Sequence, residues 1–328
     1  MSLLIRQQPR LLGRLCQSRA FSTSYRCLAE APKGAPKPAA NGAASKTAPP
    51  APKVVAPSPL ADAPRSYGKK LKEFTPTPLT RPIGMPYPPQ AGQNTGIDTR
   101  TWKQRRDDFV NYDKHLERRE YLKNKISRPY FRDWGNLQFH KGKTFIAPPR
   151  LFRADLSLFF PNFAGRTLVK GDAAARDTTP ALRGRVSVVS VFSSLWGENQ
   201  CKSFVSAAAN PAAELVLAGS GGRAQHVRIN VEEDPLKAFL VRLWAPGLRR
   251  QVGDGNYGRY FLVRRGVSDE IREAVGLLNS KVGYTFLVDP DCRIRWAGSG
   301  PSEDHEREGL VRGLERLLLE QEEGAKKR

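Results

Sequence analysis

The feature that most constrains the fold is the stretch VSVVSVFSSLWGENQCKSF at residues 186–204. Its first half is rich in valine and carries no charge, which indicates a strand buried on both faces of a sheet. A short turn with a tryptophan follows, and then the start of a helix that carries Cys201. The stretch therefore predicts an α/β domain in which a central strand leads directly into a helix.

Further strand and helix patterns follow in alternation. Residues 225–231 alternate between polar and apolar side chains, which indicates a strand. Asp234 and Pro235 mark a helix start, because aspartate caps helix N-termini and proline fits the first turn. The apolar residues of that helix recur at helical spacing: Leu236, Phe239, Leu240, Leu243 and Trp244.

The remaining patterns complete this domain. We predict helices over 200–209 and 268–278, strands over 260–263, 284–288 and 293–297, and a last helix capped by Ser302. The order is a parallel strand pair joined by a helix, closed by an antiparallel hairpin and a helix. This order is typical of the thioredoxin-like fold, an α/β fold, which we assign to residues 148–322.

The turn after the first strand lacks the dithiol of a thioredoxin. Dithiol chemistry needs two thiols in one turn, of which the first attacks as a thiolate. If Cys201 is the second thiol, the first position holds Glu198. If Trp196 precedes the first thiol, the two positions hold Gly197 and Gln200. Neither alignment leaves a pair, and Cys201 is expected to be a small buried residue.

Two other features of a redox site are also missing. Thioredoxins place a cis-proline beside the dithiol, but residues 282–285 contain no proline. Cys292 lies in the predicted hairpin turn, far from the first turn in this fold.

The cysteines include no CxxC pair, the four histidines show no metal spacing, and no glycine-rich run forms a P-loop. We therefore expect no catalytic, cofactor-binding or metal-binding residues.

The N-terminal residues 1–29 predict a mitochondrial transit peptide. They contain arginines, serines and an apolar leucine face, and the first acidic residue of the chain is Glu30. A basic, acid-free amphipathic segment is typical of mitochondrial import signals.

Residues 30–99 predict a disordered linker rich in proline, alanine and lysine. Residues 31–63 offer almost nothing to bury. The stretch up to residue 99 stays rich in proline and should be extended, either on a partner or on the chain's own domain.

Residues 100–147 predict a charged helical extension, and residues 323–328 a short tail. In the extension, residues 101–127 place a narrow apolar seam at helical spacing among mixed charges. Pro129 should end this helix near residue 128. The seam either packs on the domain or contacts a partner or a membrane surface.

Six residues are candidates for partner binding. Aromatic and arginine side chains are favoured anchors at interfaces. Arginines and aromatics are crowded in RPYFRDW at residues 128–134, and two phenylalanines are adjacent further along the chain. The candidates are Arg128, Tyr130, Phe131, Trp134, Phe159 and Phe160. The same side chains could instead cover or fill the core of the domain.

The net charge is +22 over 328 residues, which implies an anionic neighbour: nucleic acid, acidic protein or anionic lipid. No uncharged run is long enough to cross a bilayer, so any membrane association should be peripheral. A basic RNA- or ribosome-associated protein is the main alternative function and would show steeply salt-dependent RNA affinity. Acidic residues are interleaved with the basic ones in the folded half, so we expect no nucleic acid partner.

Several stretches together resemble a known family of mitochondrial ATP synthase assembly factors, which chaperone subunit a (subunit 6) of the Fo sector. They are RPYFRDW (128–134), GKTFIAPPRLFRADLSLFFPNFAG (142–165), DTTPALRGRVSVVSVFSSLWGENQCKSF (177–204) and NSKVGYTFLVDPDCRIRWAGSG (279–300). The resemblance covers residue 128 to the final helix, together with the transit peptide.

The resemblance implies a non-enzymatic chaperone without a cofactor. Such a protein would bind newly made subunit a, promote its association with the c-ring, and lie peripherally on the matrix side of the mitochondrial inner membrane. A thiol oxidoreductase is the other alternative, and it would require a thiol of low pKa.

Overall fold

The computed structural model describes residues 58–67, 70–98, 100–126, 129, 131–172 and 174–326. All of these belong to one compact unit, Val55–Arg328. The predicted transit peptide, residues 1–29, and residues 30–57 of the predicted linker lie outside the described residues.

A mixed β-sheet forms the centre of the described chain. Its strands are β1 (Ala164–Thr167), β2 (Ala175–Asp177), β3 (Val186–Phe192), β4 (Ala224–Val231), β5 (Tyr260–Val263), β6 (Tyr284–Val288) and β7 (Ile294–Ser299). Their spatial order is β2-β1-β5-β4-β3-β6-β7. The strands β3, β4 and β5 run parallel, whereas β6 pairs antiparallel with β3 and β7.

Helices pack on both faces of this sheet, with α9 in one core and α10 in the other. Those of the described residues are α1 (Trp102–Val110), α2 (Tyr112–Ile126), α3 (Arg132–Asn136), α4 (Thr178–Leu182), α5 (Leu195–Val205), α6 (Pro211–Gly219), α7 (Pro235–Leu243), α8 (Ala245–Val252), α9 (Asp269–Val275) and α10 (Asp304–Lys326).

The strand β3 lies between two cores because its valines alternate between the faces of the sheet. All of its residues are buried. Val189 and Val191 pack into the larger core, and Val186 and Val188 into a second core on the other face. The leucines of α10 close the second core. This confirms the prediction of a central strand buried on both faces.

The connectivity confirms the thioredoxin-like fold. The parallel pair β3 and β4 is joined by α5 and α6, and the hairpin of β6 and β7 is followed by α10. The hairpin of β1 and β2, which joins the sheet through β5, was not predicted. Its strands are only three or four residues long, which is too short for a clear alternation of side chains.

Three predicted elements differ in their ends or caps. The helix α5 begins at Leu195 rather than residue 200, because Ser194 caps it by accepting a hydrogen bond from the Gly197 N–H at 3.0 Å. The predicted single helix over 101–127 is two helices, which meet at Asn111 in an extended conformation. Ser302 does not cap α10, because the helix begins at Asp304 and its first hydrogen bond, from the Arg307 N–H, is accepted by the Glu303 carbonyl.

The described part of the predicted linker, residues 58–98, packs on the domain instead of being disordered. Leu60, Leu79 and Ile83 are buried in the larger core. The backbone of Leu79 also pairs with that of Ile146 at 3.1 Å. A few widely spaced apolar residues are enough to anchor the segment, although they show no helix or strand period.

Candidate functional site

The turn between β3 and α5 lies at the edge of the sheet where the parallel strands end. The Ser194 hydroxyl donates to the Lys281 carbonyl at 3.0 Å, and the Ser193 hydroxyl donates to the Ser280 carbonyl. These bonds join the turn to residues 279–283, the loop that leads into β6. The turn and this loop occupy the place of a thioredoxin dithiol and its neighbouring proline.

Two glycines bring the turn and the loop into direct contact. A Cβ atom at Gly283 would lie 2.1 Å from the carbonyl oxygen of Gly197 and 2.8 Å from the Sγ of Cys201. The Gly283 N–H also donates to Oε1 of Gln200 at 2.9 Å. Any side chain at Gly283 would therefore separate the two segments.

The cysteines of the described chain are not placed for redox chemistry. Cys201 is buried, and its thiol donates to the Tyr284 carbonyl at 3.4 Å. Burial raises the pKa of Cys201 to about 12, which keeps the thiol protonated at physiological pH. Cys292 is also buried in the turn between β6 and β7, and burial raises its pKa to about 11. Neither forms a disulfide.

The extension that precedes the domain docks on the same loop. The side chain of Asp133 accepts hydrogen bonds from the Ser280 hydroxyl at 2.6 Å and the Ser280 N–H at 3.2 Å. The ammonium of Lys281 lies 5.5 Å from the ring centre of Trp134, within cation–π range. Gln200 completes the contact by donating to the Lys141 carbonyl at 2.9 Å. The short helix α3 therefore docks on the loop beside the turn, while Leu195 and Trp196 of the turn stay exposed.

Four large apolar side chains remain exposed around this loop. They are Phe131 and Trp134 of the extension, and Leu195 and Trp196 of the turn. We call these four residues the aromatic edge. Trp196, which is half exposed, was not among the predicted contacts, although its place in the turn could have indicated it.

The predicted contact residues do not form one surface. Phe131 and Trp134 belong to the aromatic edge, whereas Arg128 and Tyr130 lie outside the described residues. Phe160 is fully buried against Phe163 and Phe286, with ring centres 5.7 and 5.5 Å away. Burial removes Phe160 from any contact surface.

Phe159 is only partly buried, but it lies elsewhere. The Arg293 guanidinium lies 5.6 Å from the centre of its ring, beside the turn between β6 and β7. That turn is at the opposite end of β6 from the aromatic edge. Phe159 therefore belongs to a different surface from Trp134.

The described ranges also lack the features of two other kinds of site. They contain no cluster of three or more His, Cys, Asp or Glu side chains arranged to hold a metal ion. Within the same ranges, no helix combines the length and apolar character needed to cross a membrane.

Comparisons with known proteins give one family. A family model described as ATP10 protein matches residues 65–317. The Mitochondrial ATPase complex subunit ATP10 of Eremothecium gossypii is 32% identical over 242 residues, covering 73% of this chain and 85% of that protein. The protein of the same name from Saccharomyces cerevisiae is 29% identical over 257 residues, covering 75% and 88%.

Solved structures with thiol–disulfide names also align with the chain. A DsbF homologue from Corynebacterium diphtheriae has 12% identity and a TM-score of 0.36, covering 51% of this chain and 91% of that one. A putative thiol:disulfide interchange protein DsbE from Chlorobium tepidum has 15% identity and a TM-score of 0.33, covering 49% and 96%.

Proposed function

Because this chain belongs to the ATP10 protein family, we propose that it is a non-enzymatic assembly chaperone of the mitochondrial ATP synthase. Its client is newly made subunit a (subunit 6) of the Fo sector, and it promotes the association of subunit a with the c-ring. It acts peripherally at the matrix face of the mitochondrial inner membrane. No cofactor takes part.

The observation that carries this proposal is the aromatic edge around a turn without a reactive thiol. A redox enzyme needs an accessible thiolate at this position. Here the thiol is buried, α3 docks on the neighbouring loop, and large apolar side chains are exposed instead. Exposed apolar side chains grouped at one place are typical of protein-interaction sites. A membrane protein such as subunit a offers apolar segments that such a surface could cover until assembly.

The proposal also assigns roles to the segments of the chain. Residues 1–29 direct import into mitochondria. Residues 30–57 link this signal to the folded unit, and residues 58–98 form part of that unit. The extension up to residue 147 and the domain, residues 148–322, together present the aromatic edge.

Site-specific photo-crosslinking tests the proposal. A photoreactive residue replaces Trp134 or Trp196 in the protein inside mitochondria, and mitochondrial translation products are labelled. The matched control places the photoreactive residue at Leu319. Leu319 and Trp134 are both 52% exposed, and Trp196 is 50% exposed. We expect cross-links to unassembled subunit a from positions 134 and 196 but not from position 319.

Two results would contradict the proposal. Cross-links to ribosomal proteins or RNA, with none to subunit a, would favour the ribosome-associated alternative. Loss of ATP synthase assembly in Cys201→Ala mitochondria, with normal protein levels, would restore the thiol as the functional group.

A further inference from the structure

The helix α7 places its large side chains in the solvent and its small ones toward the domain. Ala238 is the residue of α7 that is buried. The side chains at the predicted helical spacing are all exposed, from 38% for Leu240 to 67% for Trp244. They are Leu236, Phe239, Leu240, Leu243 and Trp244, which we call the α7–α8 face. A surface helix of a globular protein normally has the opposite arrangement.

Contacts on the inner side fix this orientation. Val252 of α8 is buried with Leu168 and Tyr260, and Leu248 packs against the same cluster. The Arg249 side chain donates from Nε to the Leu168 carbonyl at 2.8 Å. The helix pair is thus held to the domain through α8, and the large apolar side chains cannot turn inward without breaking these contacts.

The helices α7 and α8 themselves carry charges of one sign. Residues 235–252 contain Lys237, Arg242, Arg249 and Arg250 and no aspartate or glutamate. The acidic residues just before α7 are engaged locally: Asp234 accepts from the Leu236 N–H at 2.9 Å and lies 4.0 Å from the Lys237 ammonium, and Glu233 pairs with Arg272 at 2.5 Å. Arg249 is turned toward the domain, whereas Arg242 and Arg250 are exposed. The α7–α8 face is therefore apolar and flanked by cations.

We propose that the α7–α8 face docks on an anionic lipid bilayer and lies in its interfacial plane. Helices that bind in this way carry Trp, Phe and Leu on one side and Lys or Arg at its border. The apolar side chains would enter the boundary between headgroups and acyl chains, and the cations would meet lipid phosphates. An apolar protein groove would explain the exposed leucines but would gain nothing from the exposed arginines Arg242 and Arg250. The inference rests on the proposed function only for naming the mitochondrial inner membrane as that bilayer.

Flotation with lipid vesicles tests the docking directly. The purified protein, carrying all residues after the predicted transit peptide, is mixed with phosphatidylcholine vesicles or with vesicles that also contain phosphatidylglycerol. We expect flotation with the anionic vesicles, much less with the neutral ones, and a decrease as salt screens the cations. Hydrogen exchange in the same samples should show slower exchange of the α7 and α8 amides in the presence of anionic vesicles.

Substitutions locate the contact. The variant Phe239→Ser with Leu243→Ser should lower the partition coefficient about tenfold for each residue. The variant Arg242→Gln with Arg250→Gln should lower it about fivefold for each cation. The matched control, Leu215→Ser with Leu319→Ser, removes exposed leucines from α6 and α10 and should leave the partition unchanged. All of the substituted side chains are exposed, and thermal unfolding checks that each variant folds.

The remaining outcomes would overturn the inference. The first is absence of flotation with anionic vesicles. The second is flotation that the substitutions in α7 and α8 leave unchanged, or hydrogen exchange that anionic vesicles slow only in other elements, such as α1 and α2. The third is normal vesicle binding with loss of the subunit a cross-link in the Phe239→Ser, Leu243→Ser variant, which would make this face a client surface. Failure of the cross-linking experiment alone would leave vesicle binding intact, so the two proposals fail separately.

Discussion

At the scale of single residues, Cys201 is where the redox chemistry of this fold would be sought. With a pKa of about 12, only about one thiol in ten thousand is a thiolate near pH 8. We expect iodoacetamide to leave Cys201 unmodified in the folded protein and to label it fully in denaturant, as measured by mass spectrometry. Rapid labelling of the folded protein would show that the Cys201 thiol is accessible and would favour the oxidoreductase alternative.

His226 should make stability depend on pH. Its Nε2 lies 3.0 Å from the Ser190 hydroxyl, and burial, with Arg228 nearby, lowers its pKa to about 3. In the unfolded chain His226 becomes protonated near pH 6.5, whereas in the folded chain it becomes protonated only near pH 3. Between these values the unfolded state holds more protons, so the free energy of unfolding falls as pH decreases.

The expected loss attributable to His226 between pH 7 and pH 5 is about 1–2 kcal/mol. Urea unfolding at both pH values should show this loss in the wild type and a smaller one in His226→Gln. His115→Gln serves as the control, because His115 is exposed on α2. If both variants keep the full pH dependence, the effect does not come from His226.

Lys143 and Glu306 form a buried ion pair that joins the extension to α10. Their Nζ and Oε2 atoms are 2.6 Å apart, and Glu306 also accepts from the Ala147 N–H at 2.8 Å. Without Glu306, the buried Lys143 ammonium keeps only the half-exposed Glu303 at 3.1 Å as a carboxylate partner among the described residues, and the Ala147 N–H loses its acceptor, so Glu306→Ala should cost about 3 kcal/mol in unfolding free energy. The double variant Lys143→Met, Glu306→Leu should lose less. An equal or larger loss of unfolding free energy in the double variant would show that side-chain packing, rather than the buried charge, determines the cost.

At the scale of elements, the segment 58–98 is a structural part of the fold. Ile83→Ala should lower the free energy of unfolding by about 2–5 kcal/mol, because it removes a buried side chain from the larger core. Ile97→Ala is the matched control, since Ile97 lies in the same segment and is 66% exposed. Chemical unfolding of both variants measures the difference. Similar values for the two would mean that the segment does not contribute to the core.

The same segment shows where sequence patterns stop being informative. The valines of β3 and the alternation in β4 predicted both strands, because dense apolar patterns have a clear period. Leu60, Leu79 and Ile83 stand singly among prolines, so nothing local indicates that they share a core. Their packing depends on distant partners such as Phe145 and Val275.

Helix α7 illustrates a second limit, which also applies to the candidate site. Its apolar spacing correctly predicted a helix, but spacing does not say whether the apolar side faces the core or the solvent. For the same reason the aromatic candidates could not be sorted in advance. Trp134 is exposed at the docked extension, whereas Phe160 is in the core, and only the tertiary packing distinguishes them.

At the scale of the whole molecule, the aromatic edge and the α7–α8 face are exposed apolar surfaces on different elements. The aromatic edge lies on α3 and the start of α5, and the α7–α8 face lies on the connection between β4 and β5. A chaperone for a membrane subunit needs both a client contact and a means of staying at the membrane. With separate surfaces, the protein could hold its client while it remains docked.

Separate surfaces should give separable defects. Trp134→Ser with Trp196→Ser should lose the co-purification of newly made subunit a yet still float with anionic vesicles. Phe239→Ser with Leu243→Ser should lose flotation yet still bind subunit a in detergent extracts, where docking is not needed. Changes at independent sites add in free energy. The combined variant should therefore lose both subunit a binding and flotation, each to the extent seen in the corresponding pair of substitutions. If either pair of substitutions abolishes both activities in folded protein, client and bilayer share one surface, and a client would have to displace the membrane in order to bind.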